Sequence, residues 1–258
     1  RMSRGLGDVY KRQAIFGMIT CANFSILSSA QRQFVATTVF LLAYRYCIYG
    51  RISELKDLIS KRALLYFLLI GIASTFHSSA IILEFIPLIH FIPYKKKLVL
   101  LFLGVFFFAV LFAGATFLPS IMDSVIEKSD SYEYLQGIAA TNEQTFLGTS
   151  MMILRVLLLL FVLSRYNLPK GHAIVLIIAY ISAIFTATTF SLVQIDRLSF
   201  YLIAFDYLSY AIVLEYLPSS YRQVYSVIIW IWYLWGVLKL FQPTIYDWQE
   251  YKTIFPVL

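Results

Sequence analysis

His77 sits in a polar island, Thr75-Phe76-His77-Ser78-Ser79-Ala80, inside an apolar stretch that runs from residue 63 to 93 and has basic clusters at both ends. An imidazole with an unperturbed pKa near ~6.5 can exchange a proton at neutral pH or donate to an anionic oxygen. Arginine supplies complementary chemistry, because a guanidinium stays charged when partly buried and holds phosphate oxygens through paired donors. Arg32, in Gln31-Arg32-Gln33, and Arg197, in Gln194-Ile195-Asp196-Arg197, are candidates for that role, with Arg155 as a third. Two or three arginines facing one histidine form a sensible apparatus for a diphosphate, with Gln33, Ser78 and Asp196 as neighbouring polar groups.

Residues so far apart in sequence need a scaffold that brings them to one level. The chain is 60% hydrophobic, 17% aromatic and 14% charged, with several long segments almost free of charge, which a water-soluble domain of this size could not bury. The expected fold is all-α, a polytopic integral membrane helical bundle, because strand alternation is not evident. Spans are expected at 14–27, 34–49, 63–76, 78–92, 98–118, 150–164, 173–190, 198–217 and 224–241. Basic loops at 51–62, 95–97, 165–172 and around Arg222 are assigned to the cytoplasm, since loops rich in Lys and Arg are retained there. That assignment puts Gln31-Arg32-Gln33, the His77 turn and the 191–197 turn on the extracytoplasmic face. Each arm around His77 spans roughly 21 to 23 Å as α-helix, short of the ~30 Å hydrocarbon core, which implies a thin, tilted or partly re-entrant hairpin. The longest outer loop, 119–149, holds five acidic residues and the single Lys128. Its first part, Pro119 to Lys128, reads as a short amphipathic helix, and Tyr132 and Tyr134 beside carboxylates suit a sugar.

Asp8-Val9-Tyr10-Lys11-Arg12-Gln13 is the translation of a transposase adaptor end used in preparing sequencing libraries. Residues 1–13 are therefore expected to be non-native, with one multi-span domain over residues 14–258. Setting them aside lowers the formal charge from +7 to +4, so the basic balance reflects topology and no nucleic-acid partner is expected.

Each candidate also has a plainer role. Arg32 and Arg197 suit interfacial anchors, and His77 suits a polar turn between two helices. Glu84, seven residues after His77, would lie on the same α-helical face and two turns deeper. Asp206, deep in its span, is expected to form a structural ion pair. Arg45 and Glu215 are expected to snorkel or to pair in loops, and Cys21 and Cys47 to pack. No phosphate loop, dinucleotide fingerprint, Asp-x-Asp pair or Cys/His cluster is present, so neither a cofactor nor a metal is expected, and any donor should arrive already activated.

Ser29-Ala30-Gln31-Arg32-Gln33-Phe34-Val35-Ala36, then Phe76-His77-Ser78-Ser79-Ala80-Ile81-Ile82 with Pro87, and finally Arg197 with Tyr201 and Pro218 resemble the EpsG family of exopolysaccharide polymerases, relatives of the Wzy O-antigen polymerases. Members usually carry further spans and an arginine-containing outer segment upstream, so the chain is expected to be an N-terminally truncated fragment. The resemblance implies a glycosyltransferase of the bacterial plasma membrane in exopolysaccharide, capsule or O-antigen biosynthesis. It would transfer glycan from a polyprenyl-diphosphate-linked oligosaccharide to a lipid-linked acceptor repeat on the extracytoplasmic face, with a chain-length regulator and a flippase as partners. Under that reading Arg32 and Arg197, with Arg155, hold the diphosphate, and His77 is either the general base for the acceptor hydroxyl or another diphosphate contact. Two other classes remain alternatives: a membrane acyltransferase of surface polysaccharides, and a glycolipid flippase or transporter.

Overall fold

The computed structural model describes residues 31–116, 146–189 and 193–240, and within these the side chains at 113–116, 146–148, 188–189, 193–197, 232–233 and 235–240 are not described. Every regular element among the described residues is helical. Helix α1 (Gln31–Ala43) continues through a π-helical turn, Tyr44–Ile48, which ends at Gly50, a residue whose φ of 69° favours glycine. A short 3₁₀ segment, Leu55–Ile59, precedes α2 (Lys61–Phe76), whose start is fixed by Ser60 Oγ accepting from the Ala63 N–H at 3.2 Å. A long 3₁₀ helix, Ser78–Phe91, follows His77. The remaining helices are α3 (Lys97–Thr116), α4 (Phe146–Arg165), α5 (Lys170–Thr189), α6 (Val193–Tyr216) and α7 (Ser219–Leu240).

The centre of the bundle is α5. It is apolar all round and buried almost throughout, from Ala173 to Ala183, as expected of a helix surrounded by others. It packs most extensively on α6, and also on α3, α4 and the 3₁₀ helix. Peripheral helices do the opposite. On α3, Leu98, Leu101, Phe102, Val105, Phe106 and Phe112 are exposed while Phe107 is buried, and α2 exposes Leu64, Leu65, Leu68 and Ile72. Apolar belts of this extent are stable against hydrocarbon rather than water. Lys170–Ala187 and Leu198–Tyr216 are long and apolar enough to cross a membrane.

Apart from the expected span 14–27, which lies outside the described residues, the expected spans and the observed helices coincide to within a few residues, with three differences of consequence. The first is the arm after His77, whose rise of ~2.0 Å per residue in a 3₁₀ helix makes it about 28 Å long, close to the full hydrocarbon thickness. A short or re-entrant arm is not needed. Four of its six buried side chains, Ala80, Leu83, Ile86 and Ile89, recur every third residue, the period of this helix type, and Pro87 and His90 directly follow the last two of them. Pro87 removes one donor within the arm, and Tyr66 Oη of α2 donates to the Leu83 carbonyl in the turn before it at 2.6 Å. His77 stands outside this helix with an extended backbone, so Glu84 and His77 do not share a helical face.

The second difference is at α6, which begins at Val193. The 193–197 segment is therefore helical instead of a turn. The third is at α4, which begins at Phe146, so Arg155 stands near the middle of its helix and not five residues below the rim.

The loops expected to share a side meet at one end of the bundle. Lys95 Nζ donates to Asn167 Oδ1 at 3.2 Å, Lys170 Nζ to Ser53 Oγ at 3.5 Å, and His172 Nδ1 lies 3.4 Å from Tyr216 Oη. Gly171 fits there because the Tyr49 ring lies where a Cβ would be, at 2.7 Å. Cys47 is a free thiol packed in the core, whereas Cys21 lies outside the described residues.

Candidate functional site

At the other end, α2 stops at His77. Its backbone turns extended, with φ −150° and ψ 111°, after a last N–H bond to the Ala73 carbonyl at 3.2 Å. This break lets the imidazole swing to one side of both arms instead of following either helix. Ser79 Oγ lies 2.7 Å from His77 Nδ1, Tyr201 Oη lies 2.9 Å from the same nitrogen, and the two hydroxyls are 3.1 Å apart. The rings of His77 and Tyr201 meet edge to face at 6.2 Å. Tyr201 comes from the third turn of α6, more than a hundred residues away, and its side chain is fully buried while His77 is partly buried.

The hairpin of α1 and α2 puts the start of α1 at this same end. Arg32 is exposed in the first turn of α1, while Gln33 is 1% exposed and its carbonyl accepts from Thr37 Oγ1 at 2.9 Å. Arg197 and Asp196 lie in the first two turns of α6. Arg197 precedes Tyr201 by four residues, about 6 Å nearer the helix start, and the two positions share a helical face. Ser78 is exposed. Tyr132 and Tyr134, with the rest of loop 119–149, lie outside the described residues.

Arg155 belongs to a different cluster. Its Nη2 donates to Asp206 Oδ1 at 2.5 Å and to the Ala179 carbonyl at 2.6 Å, and Ser182 Oγ donates to Asp206 Oδ2 at 2.9 Å. The two charged side chains are 12% and 13% exposed. This is the partner expected for Asp206, and it joins α4, α5 and α6 near mid-height.

An apolar groove of about 470 Å³ runs beside the His77 site, lined by Ile82 and Ile86 of the 3₁₀ helix, Ile181 and Phe185 of α5, and Leu198 and Leu202 of α6. Leu202 is the chain neighbour of Tyr201, and Ile82 lies one 3₁₀ turn beyond Ser79.

Two of the three residues in the His77 cluster were missed as site residues by sequence reasoning. Ser78 was selected, but the Phe-His-x-Ser-Ala pattern already marks Ser79, and Tyr201 stood in the C-terminal element with Arg197. What the sequence lacks is any sign that these elements touch.

Apolar outer helices around a buried α5, with a histidine held by hydroxyls at one end, define a helical membrane protein with a polar site at the rim of its bundle. The chain belongs to the EpsG family, whose model matches residues 10–253. Neither a curated protein nor a solved structure matches it. Family membership gives the chain an exopolysaccharide-polymerase-like, glycosyltransferase-like role in polysaccharide biosynthesis at a membrane, acting on a lipid-linked sugar.

Proposed function

We propose that this chain is the polymerase body of a multi-pass plasma-membrane enzyme that extends glycan on the extracytoplasmic face. The donor is a polyprenyl-diphosphate-linked oligosaccharide and the acceptor is a hydroxyl of a second carrier-linked repeat. The bond from the anomeric carbon to the diphosphate oxygen breaks, and the bond to the acceptor oxygen forms. The acceptor proton passes to a base, either His77 or an oxygen of the departing diphosphate. Charge builds on phosphate oxygens in the transition state, where fixed cations stabilise it most. Arg32 and Arg197 are assigned to those oxygens, Gln33 and Asp196 to the polar surround, and Tyr132 and Tyr134 to sugar.

One observation carries this reading: the His77–Ser79–Tyr201 cluster ties the turn after α2 to the beginning of α6, at the end of the bundle where α1 also begins. Basic loops gathered at the opposite end support the orientation, because such loops stay in the cytoplasm. The groove supports the substrate class. Its apolar lining starts beside the cluster, so a carrier whose diphosphate lies at the rim can lay its first isoprene units there. Arg155 was assigned to the diphosphate with the other arginines, but its depth and its bonds to Asp206 and Ala179 favour a role in the bundle. The same pairing favours a polymerase over a transporter, since these mid-height charges satisfy each other.

The test uses the full-length protein in cells. His77→Ala and Arg32→Ala should each abolish long polymer and leave single lipid-linked repeats on the outer face, with the protein still in the membrane. Normal polymer from a well-expressed Arg32→Ala protein would refute the assignment.

A further inference from the structure

Asp206 and Glu84 both stand at mid-height, and the bundle treats them differently. Asp206 has Arg155 on one carboxylate oxygen and Ser182 on the other. Glu84 has no such company. It lies near the middle of the 3₁₀ arm Ser78–Phe91, about 12 Å below its start at ~2.0 Å per residue, and among the described residues it makes no hydrogen bond or ion pair. The Tyr66 hydroxyl, on the α2 side, gives its one proton to the Leu83 carbonyl instead. Ile81, one 3₁₀ turn above Glu84, and Leu88, below it, are exposed apolar residues outside the lining of the groove. Hydrocarbon covers such side chains well, but it offers a carboxyl group nothing in exchange for lost water.

The missing partner is not in this chain. Its apolar runs hold one basic residue at mid-height, Arg155, which Asp206 already binds. Arg45 stands in the π-helical turn that ends α1, and Lys239 is the last residue but one of α7. A second copy therefore brings no cation to this depth. We propose that Ile81, Glu84 and Leu88 form a docking face for a transmembrane helix from outside this sequence, one that carries an arginine or lysine at mid-height opposite Glu84. Apolar contact alone discriminates little in a bilayer, because lipid tails are as apolar as leucine. The charged contact selects the helix, and its depth sets the register. Asp206 and Arg155 show the same solution inside the bundle.

A photoreactive benzoylphenylalanine in place of Ile81 tests this in the full-length protein in its own membrane. Irradiation should join position 81 to a helix whose peptide, read by mass spectrometry, has an arginine or lysine in the central third of its apolar run. Glu84→Gln keeps the volume and removes the charge. It should cut that adduct about ten-fold at equal membrane levels, the scale of one polar contact between helices in lipid. Glu84→Lys should cut it further, since like charges then meet. Adducts to lipid alone, to a second copy of this chain or to a helix without a basic residue overturn the proposal. An adduct that Glu84→Gln leaves unchanged does so too. The adduct is read without any polymer, so this face stands or falls separately from the polymerase reading, which the Arg32→Ala experiment decides.

Discussion

Two polar clusters hold α6 to the rest of the bundle, and they are built on opposite principles. At mid-height, Asp206 meets Arg155, Ser182 and the Ala179 carbonyl, a full charge neutralised by a full charge with both sides enclosed. At the rim, the hydroxyls of Tyr201 and Ser79 meet Nδ1 of a partly buried His77 imidazole. Bonded to a carboxylate and a backbone carbonyl on neighbouring helices, Arg155 of the enclosed pair ties α4, α5 and α6 together, although its Nε is buried without a hydrogen-bond partner among the described residues. The rim cluster instead sets a histidine at the end of the bundle where α1 and α6 also begin. The separation follows from cost: a lone charge deep inside a bilayer is expensive enough to need a charged partner, and the cost falls toward the interface.

Removing one partner from each cluster should separate the two most sharply. Asp206→Ala leaves Arg155 buried and unpaired, a loss of ~3–5 kcal/mol that should appear as protein missing from the membrane or a collapsed melting temperature in detergent. His77→Ala should show the reverse, with polymer abolished and the melting temperature nearly unchanged. The double variant Arg155→Met with Asp206→Leu should recover folding, since apolar replacement of a buried pair is often neutral. If it folds and still makes long polymer, Arg155 is a clamp between helices. A folded double variant without polymer would return Arg155 to the diphosphate and break the contrast drawn above.

Smaller effects sharpen it. At the far end, Gly171→Ala drives a methyl into the Tyr49 ring and should cost about 1–3 kcal/mol of stability, with polymer per folded molecule unchanged. Tyr201→Phe keeps the packing and loses the hydroxyl, so stability should fall by only about 1 kcal/mol while polymer length drops clearly. A variant that loses stability and polymer in equal proportion would make Tyr201 a packing residue.

The smallest effect is at Asp57. Its carboxylate accepts from the Glu54 and Ser53 amides at 2.9 and 2.7 Å, which hold its pKa below the ordinary carboxylate value. A depressed pKa means that the stabilisation is complete above the unfolded value near ~3.9 and is lost as pH falls through the lower folded one. Protection of those two amides against hydrogen exchange, relative to the intrinsic rate at each pH, should therefore fall in acid, more than in Asp57→Asn, where the acceptor does not titrate. Protection that does not change with pH would remove this assignment and leave both polar clusters untouched.

Much of this molecule was legible in one dimension. Apolar runs of fourteen to twenty-one residues, separated by Lys and Arg, announced the helices, because burial in hydrocarbon is a sum over residues that does not depend on how the helices later pack. Asp206 announced that it needed a partner, since the cost of its charge is set by depth alone. His77 and the arginines stood out by chemical type. The sequence did not reveal that Asp206 would choose Arg155, that the arm after His77 would wind at three residues per turn, or that Ser79 in place of Ser78 would face the ring. Those outcomes turn on rotations of about a hundred degrees and on hydrogen bonds that fail beyond ~3.5 Å, and both are set by how helices distant in sequence dock. The chain's composition determined that it would live among lipids and what chemistry it could offer. Only the packing of α6 against the His77 turn decided that Tyr201 and Ser79 meet Nδ1 of the imidazole, because direction is a property of contacts and not of residue types.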